Sequence, residues 1–443
     1  MMNARKTALN ILLKIENDGA YSNIVLNHEV RRDKLNLSDT SFCSALVYGV
    51  LERKILLDYI IRQYTTVRLK KIETTVLMIL RMGVFQLLFM DKIPESAVVN
   101  ESVKLAKNLR LNKSSGFINA VLRNFIRKEY QYTLPDKQQN KLFYYSILYS
   151  LPENIVRLWI NAYGEETAVD IMENLTGRVP VYVRVNTLKT DGKTLQHSFE
   201  THGIKADFIY GENTLVLQNT GSVEHTEEYR SGLFHIQDIS SQICCEVLQP
   251  KENMTVYDFC SAPGGKAFTA AELMNNSGTI FAFDKYDHKI KLIQSGAQRL
   301  GINNIQAKVR NALETDNLPP ADRVLCDVPC SGLGIIRRKP EIRYKNNLGL
   351  DTLPELQYKI LCNCCTYVKK GGILIYSTCT LNPEENENNV KKFLREHLDF
   401  QPLNIILNSD IIKKVCTAPN AITLLPDRQG SDGFFISAFV RST

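Results

Sequence analysis

The sequence lacks any uninterrupted apolar run approaching the ~20 residues that a membrane-spanning helix requires. Arg5 and Lys6 precede a helical pattern rather than the apolar core of a signal peptide. Hydrophobic residues make up 44% of the chain and charged residues 23%, which is typical of a globular protein. We therefore expect a cytoplasmic protein, and its 443 residues predict two or three domains.

The 11 cysteines lack the spacing of a zinc site. Cys362, Cys364 and Cys365 form the string CNCC within a helical stretch, but no second CxxC or HxxxH follows to complete four ligands. A large chain without a secretion signal also favours reduced thiols over disulfides. Core packing is therefore the expected role of these three cysteines, and no metal site is predicted.

Two common phosphate-binding motifs, GxGxxG and GxxxxGKS, are absent as well. In their place DFCSAPGGK, Asp258 to Lys266, follows a strand-like segment and begins a helical pattern. Its glycines allow backbone N–H groups at a helix amino terminus to approach a compact anion such as an amino-acid carboxylate. The next strand-like segment ends at Asp284, where a carboxylate accepts hydrogen bonds from ribose hydroxyls. Together they predict a nucleoside-containing cofactor, and a capping or surface carboxylate is the alternative for Asp284.

The front of the chain is helical and basic. From Ala4 to about Lys128 apolar residues recur at helical spacing, which predicts an all-α domain at residues 1–130. The first 150 residues contain 23 lysines and arginines against 13 acidic residues, whereas the remainder contains 31 against 34. Such a surface can neutralise RNA phosphates, although a merely solvated helical surface would have the same composition. The clustered cations are Arg68, Lys70, Lys71, Arg110, Lys113, Arg123, Arg127 and Lys128.

Two different patterns follow a polar linker that begins near residue 130. Residues 143–235 mix helical runs with alternating segments such as VPVYVRVNTLKT, which predicts a small α+β domain. From 236 to 443 strand-like and helical segments alternate, which predicts a Rossmann-like α/β domain built on a parallel, doubly wound sheet. ITLLP and GFFISAFV near the end are expected to form a closing hairpin.

The string ILIYSTCTLNPEENE, residues 373–387, predicts a buried strand that stops at Cys379. Pro383 is expected to begin the next helix, with Glu384 and Glu385 complementing its positive end. Cys379 would then lie at the carboxyl edge of the sheet, where open α/β proteins bind ligands and display reactive side chains.

Asp327 and Cys330, in CDVPCSG, follow another predicted strand and should therefore lie at the same edge as Cys379. An unreactive buried thiol is the ordinary alternative for either cysteine. A redox thiol enzyme that uses both cysteines is another possibility, although no thioredoxin-like CxxC accompanies them.

Three strings together, DFCSAPGGK, DVPCSG and STCTLNPEEN, resemble the RNA cytosine-C5 methyltransferases that use S-adenosylmethionine. With a front that looks like NusB and a closing DGFF, nearly the whole chain resembles the bacterial 16S rRNA (cytosine-C5) methyltransferases of the RsmB (Sun/Fmu) type. The resemblance implies an all-α NusB-like N-terminal domain, a small α+β domain that recognises RNA, and a Rossmann-like methyltransferase domain. It also implies a monomer that acts on 16S rRNA, free or partly assembled, at the cytosine-967 type of site.

The same resemblance implies roles for individual residues. Cys379 would add as a thiolate to carbon 6 of cytosine, Cys330 would assist release, and Asp327 would hydrogen-bond the base. Asn311 stands where many members have an acidic residue for the adenine amino group, and its amide oxygen can accept that bond. The implied cofactor-binding residues are Cys260, Ser261, Ala262, Pro263, Gly264, Gly265, Lys266, Asp284, Asn311 and Asp327.

Five cations follow Cys330 and are expected to grip the phosphates on either side of a base taken out of RNA, with a solvated loop as the alternative. They are Arg337, Arg338, Lys339, Arg343 and Lys345. Four other residues match family patterns but have no chemistry that the sequence can assign, namely Arg184, Asn186, Gln237 and Asp238. The alternative from another class is a non-catalytic RNA-binding or assembly factor that merely retains the fold.

Overall fold

The computed structural model describes residues 4–177, 179–218, 220–221, 223–345, 348–407, 414–427 and 431–442. The chain forms two compact units. Unit 1 contains Met1–Gly177 and Ile336–Asn346, and unit 2 contains Arg178–Ile335 and Asn347–Thr443. The chain therefore enters unit 1 a second time, immediately after the DVPCSG motif. The predicted domain boundaries at 130, 143 and 235 stay predictions.

In its described residues unit 1 is helical, as the apolar spacing predicts. In a helix such as Ala4–Asp18 the buried residues recur at helical spacing and face the core. The helix Thr74–Phe89 is buried over most of its length. Among the described residues of the whole chain, no helix is both long enough and apolar enough to cross a membrane. The α-helices of unit 1 are α1 (Ala4–Asp18), α2 (Ser22–Arg32), α3 (Leu37–Glu52), α4 (Lys54–Gln63), α5 (Thr74–Phe89), α6 (Glu95–Asn108), α7 (Asn112–Arg127), α8 (Lys141–Tyr149), α9 (Glu153–Tyr163) and α10 (Glu165–Glu173).

The segment 336–346 is held within unit 1 by Arg343, which is only 1% exposed. Its guanidinium donates to the carbonyl oxygens of Glu52 at 2.8 Å and Leu175 at 3.2 Å, and to that of Tyr149 at 3.3 Å. Glu52 and Tyr149 end α3 and α8, where unpaired carbonyls favour a cation. The prediction that Arg343 grips RNA phosphates is therefore wrong, because its guanidinium is buried and donates hydrogen bonds to carbonyl groups at helix ends.

Unit 2 begins with a small antiparallel sheet in the order β2-β3-β1-β4. Alternating residues of these strands point into a compact core with α11, which explains the VPVYVRV pattern. The predicted α+β character of this region is confirmed. The elements are β1 (Val181–Val185), α11 (Gly192–Thr201), β2 (Lys205–Phe208), β3 (Thr214–Gln218), α12 (Glu227–Arg230) and β4 (Phe234–Ile236).

The large sheet of unit 2 has the order β11-β12-β13-β9-β8-β5-β6-β7. Strands β5 to β9 are mutually parallel, whereas β13 runs antiparallel to β9 and pairs with β12 as the expected hairpin, so the sheet is mixed. The elements are α13 (Ile239–Leu248), β5 (Thr255–Phe259), α14 (Gly265–Leu273), β6 (Thr279–Asp284), α15 (Asp287–Leu300), β7 (Ile305–Val309), β8 (Ala321–Asp327), α16 (Leu353–Cys365), β9 (Val368–Thr378), α17 (Glu387–Glu396), β10 (Phe400–Pro402), β11 (Lys414–Ala418), β12 (Ala421–Leu424) and β13 (Phe434–Arg441).

Helices cover both faces of this sheet, which is why its central strands are continuous apolar runs. Because β5, β6, β8 and β9 are parallel, their carboxyl ends meet at one edge. Asp284 and Asp327 end β6 and β8, and Cys379 directly follows β9. The fold thus gathers the residues that the sequence singled out.

Candidate active site

The glycine-rich turn between β5 and α14 is shaped by backbone contacts. The N–H of Ser261 donates to the carbonyl of Phe283 at 2.8 Å, which ties the turn to β6. Gly264 has a φ of +106°, a conformation that favours glycine, and an added Cβ would lie 2.6 Å from the ring of Phe268. Helix α14 begins without a side-chain cap, so the N–H groups of its first turn remain able to bind an anion.

Asp258 lies buried beneath this turn. Its Oδ2 accepts a hydrogen bond from the hydroxyl of Ser261 at 2.6 Å, whereas Oδ1 has no partner among the described residues. Burial raises the pKa of Asp258 to about 7, and repulsion from Asp327 adds to the rise. Through the hydrogen bond from Ser261, the buried Asp258 carboxyl group helps to hold the turn in place.

Asp284 ends β6 with most of its hydrogen-bonding capacity left over. It is 4% exposed, and among the described residues its side-chain oxygens accept only long hydrogen bonds, from the Tyr286 N–H at 3.3 Å and the Lys289 ammonium at 3.4 Å. The N–H of Arg310 donates to the Asp284 carbonyl at 2.9 Å, which brings the next residue, Asn311, to the same edge. The Asn311 side-chain oxygen accepts from the backbone of its own loop, at Leu313, at 3.2 Å.

Asp327 lies between two donors at the end of β8. Lys266 Nζ donates to Oδ2 at 2.8 Å, and the hydroxyl of Ser377 donates to Oδ1 at 2.8 Å. Burial acts to lower the pKa of Lys266, but the Asp327 carboxylate outweighs it and raises that pKa above its ordinary value. This ion pair joins the glycine-rich turn to the strand end that precedes Cys330, and the sequence alone did not predict it.

The two cysteines meet at this edge. Cys330 Sγ lies 3.0 Å from Cys379 Sγ, and both thiols are free. The hydrogen bond with Cys379 raises the pKa of Cys330 well above its ordinary value, and burial adds to the rise. The two sulfurs therefore lie within hydrogen-bonding distance, and either thiol could be the donor.

Glu385, which the sequence interpretation misplaced, and Asn386 hold this cysteine pair. Helix α17 begins at Glu387 rather than at Pro383, so Glu385 does not belong to the first turn of a helix. Instead Glu385 is fully buried and accepts hydrogen bonds from the loop that carries Cys330. Asn386 accepts from the Thr378 hydroxyl at 2.6 Å and donates to the Thr380 carbonyl at 3.0 Å, which fixes both neighbours of Cys379. A string as polar as NPEENE gave no sign that these side chains lie inside.

Of the four residues without assigned chemistry, Arg184, Asn186 and Gln237 make polar contacts that join the small sheet to helices of the large one, whereas Asp238 bonds within its own turn. The partners are the Glu272 carboxylate for Arg184 at 3.3 Å, the Leu300 carbonyl for Asn186 at 2.8 Å, the Thr269 hydroxyl for Gln237 at 2.7 Å and the Ser240 N–H for Asp238 at 3.0 Å. Three of these partners lie on α14 or α15, and Asp238 caps α13. Their contacts assign these residues to the structure of unit 2.

Comparisons with known proteins match three parts of the chain to described families. The NusB family matches residues 2–127, a ferredoxin-like domain of RsmF/B-like methyltransferases matches residues 151–224, and the family described as 16S rRNA methyltransferase RsmB/F matches residues 245–440. These matches confirm the fold class predicted from the sequence: an all-α NusB-like front, a small α+β domain and a Rossmann-like methyltransferase domain.

Similarity to individual proteins extends over the full length. The "Probable ribosomal RNA small subunit methyltransferase B" of Bacillus subtilis (strain 168) is 36% identical and aligns with 98% of this chain and 97% of its own length. The protein of the same name from Synechocystis is 31% identical, with 99% of both chains covered. Among solved structures, a methyltransferase homolog protein from Pyrococcus horikoshii has a TM-score of 0.60 and 28% identity, covering 69% of this chain and 99% of its own.

Proposed function

Because the chain belongs to the RsmB/F family of 16S rRNA methyltransferases, we propose that it methylates carbon 5 of a cytosine through a covalent bond to Cys379. Its methyl donor is S-adenosylmethionine, and its substrate is ribosomal RNA. The observation that carries the proposal is the 3.0 Å separation of the Cys330 and Cys379 sulfurs beside Asp327. We place the enzyme in the cytoplasm as a monomer.

The residues at the sheet edge fit S-adenosylmethionine. The uncapped start of α14 suits the carboxylate of its methionine part, and the spare acceptor capacity of Asp284 suits ribose hydroxyls. When bound, S-adenosylmethionine supplies an electrophilic methyl group. The chain's own part is to hold these two ends of the cofactor, with Asn311 at the place expected for the adenine.

Carbon 5 of cytosine is a weak nucleophile because it belongs to an aromatic ring. A thiolate of Cys379 that bonds to carbon 6 pushes electron density onto carbon 5, which can then take the methyl group. Afterwards a proton leaves carbon 5 and the bond between carbon 6 and sulfur breaks, which returns the ring to aromaticity. The reaction therefore needs one group that attacks and a second that helps release.

The hydrogen bonds of the site support this division of roles. The hydrogen bond with Cys379 raises the pKa of Cys330, which disfavours a Cys330 thiolate as the attacking group. Asp327 is oriented by Lys266 and Ser377, and its remaining lone pairs can accept a hydrogen bond from the exocyclic amino group of cytosine.

The reaction product tests the proposal. Purified protein should transfer label from methyl-labelled S-adenosylmethionine to deproteinised small-subunit rRNA taken from cells that lack the gene. After digestion to nucleosides, we expect the label in 5-methylcytidine. Label in any other nucleoside, or none in RNA, would contradict the proposed chemistry, and mapping 5-methylcytosine with and without the gene would then locate the target.

Replacing Asp284 should weaken cofactor binding. Asp284→Ala removes a buried acceptor of ribose hydroxyls, so we expect the affinity for S-adenosylmethionine to fall by about 1.5 to 3 kcal/mol, the scale for hydrogen bonds to a charged group. Asp287→Ala is the matched control, because Asp287 is an exposed carboxylate three residues away that pairs with Lys291 within its own helix. Equal cofactor affinities of the two variants in calorimetry would remove Asp284 from the cofactor site.

The basic helical front is proposed to bind the rRNA backbone. Lys113, Arg123 and Arg127 are exposed on α7. Changing all three to serine should lower RNA affinity and flatten its dependence on salt, by about 0.7 to 0.9 in the log–log slope for each phosphate that the variant no longer neutralises. Substitution is preferable to deletion of the front, because deletion would remove the Glu52 carbonyl, which accepts a hydrogen bond from buried Arg343.

Filter binding at several salt concentrations measures this slope, and calorimetry should show unchanged cofactor affinity. The matched control changes three exposed lysines of unit 2 outside the small α+β region, Lys251, Lys291 and Lys359, to serine. If the α7 variant kept the slope of the parent protein, its cations would be a solvated surface only.

A further inference from the structure

Among the described residues, main-chain hydrogen bonds attach the loop that carries Cys330 to the Cys379 strand only at the two ends of the loop. Before the loop, the N–H of Val328 donates to the Ser377 carbonyl at 3.1 Å. After it, the N–H of Gly334 donates to the Cys379 carbonyl at 3.0 Å. The positions of the residues between these two bonds, Cys330 included, depend on side chains.

Glu385 supplies the side-chain contacts that fill this gap. Its carboxylate is fully buried and accepts four hydrogen bonds. Two come from Ser331, whose N–H lies at 2.9 Å and whose hydroxyl lies at 2.5 Å; one comes from Gln357 at 2.8 Å and one from Asn382 at 3.0 Å. Gln357 also donates to the Pro329 carbonyl at 3.0 Å, so both neighbours of Cys330 are attached to one network.

The same network reaches the residue after Cys379. The Ser331 hydroxyl lies 2.7 Å from the hydroxyl of Thr380. In the part of the chain that the structure describes, the four donors to Glu385 are neutral and no cation pairs with it. Burying a carboxylate without a cation is costly even when it is well hydrogen-bonded. A packed apolar side chain would be less costly at this position, so the carboxylate serves the geometry of the two loops.

We infer that Glu385 is a positioning residue that holds the Cys330 thiol within reach of Cys379. The inference rests on the roles proposed above for the two cysteines. A carboxylate is required because each of its oxygens accepts two donors. An amide in its place would direct an NH₂ group toward the donors of Gln357 or Asn382 and release Ser331 from its place.

The test compares Glu385→Gln with Glu384→Gln, because Glu384 is the adjacent glutamate and is exposed. We expect Glu385→Gln to lower kcat by about 10- to 100-fold, the range for a displaced catalytic group. Its affinity for RNA without cofactor and its affinity for S-adenosylmethionine should match those of the parent protein. Because release should suffer more than attack, a larger share of Glu385→Gln than of the parent should be trapped as a protein–RNA adduct under turnover.

A second readout needs neither RNA nor cofactor. In oxidised glutathione the Cys330 and Cys379 thiols lose two protons and two electrons to form a disulfide, and one oxidised glutathione becomes two reduced molecules. The equilibrium gives the effective concentration of one thiol toward the other. Trypsin separates the two cysteines into peptides 324–337 and 371–391, so mass spectrometry quantifies the linked pair. We expect this effective concentration to fall about tenfold or more in Glu385→Gln and to stay unchanged in Glu384→Gln.

Ser331→Ala covers the case in which Glu385→Gln does not fold. It removes one donor to Glu385 and the contact with Thr380, so it should shift both readouts in the same direction by a smaller factor. Parent-like values of kcat and of the effective thiol concentration in Glu385→Gln would overturn the inference. Failure of the cysteine mechanism itself would show separately, as activity that persists in Cys379→Ser.

Discussion

Cys379→Ser is expected to abolish methyl transfer, with kcat falling by at least about 10⁴-fold, the scale for loss of a covalent nucleophile. A serine hydroxyl is scarcely ionised near neutral pH, so it cannot add to carbon 6 as a thiolate does. The Cys379 sulfur lies 3.0 Å from that of Cys330, and replacing this one atom with oxygen should disturb the packing little.

Steady-state transfer of labelled methyl to rRNA measures this loss, and calorimetry should show that the variant still binds S-adenosylmethionine. Cys416→Ser is the matched control, since Cys416 is free and exposed on β11, and its activity should equal that of the parent. A Cys379→Ser protein with parental activity would refute covalent catalysis by this residue.

Cys330→Ser is expected to block release rather than attack, because attack and release are successive steps. Cys379 can still add to carbon 6 and carbon 5 can still be methylated, but release should be slow. Turnover should fall by about 10²-fold or more, the scale for a lost general acid or base. Under turnover the variant should accumulate a protein–RNA complex that survives denaturing electrophoresis and carries the methyl label.

The control for this accumulation is the double variant Cys330→Ser/Cys379→Ser, which should form no complex. The reverse pattern, with a stable complex in Cys379→Ser and none in Cys330→Ser, would exchange the two roles. Full activity of both single variants would leave the pair as packed thiols at the edge of a sheet.

Much of the site can be predicted from the sequence because strand ends are local features. Continuous apolar runs predict parallel strands covered on both faces, and such strands place Asp284, Asp327 and Cys379 at one edge whatever the rest of the fold does. The helical spacing of the front predicts α1 to α7 for the same reason, since the period of a helix appears directly in the sequence.

Contacts between distant segments could not be predicted in this way. Arg343 is one cation in a basic string, and only the fold shows that its partners are carbonyls at the ends of α3 and α8. Glu385 follows a proline in an acidic string typical of a helix start, yet α17 begins two residues later and the side chain turns inward. In both cases the local charge pattern predicts a side chain exposed to solvent, whereas partners far along the chain cause the side chain to be buried.

The adduct of Cys330→Ser tests covalent attack by Cys379 most directly, because the peptide that carries the nucleotide identifies the attacking sulfur. The complex formed with rRNA and S-adenosylmethionine would be denatured, digested with nuclease and trypsin, and analysed by mass spectrometry. Cleavage after Lys370 and Lys391 isolates Cys379 in peptide 371–391, away from peptide 324–337. The account predicts a methylated cytidine nucleotide on peptide 371–391. A nucleotide on any other peptide, or no adduct together with undiminished turnover, would contradict it.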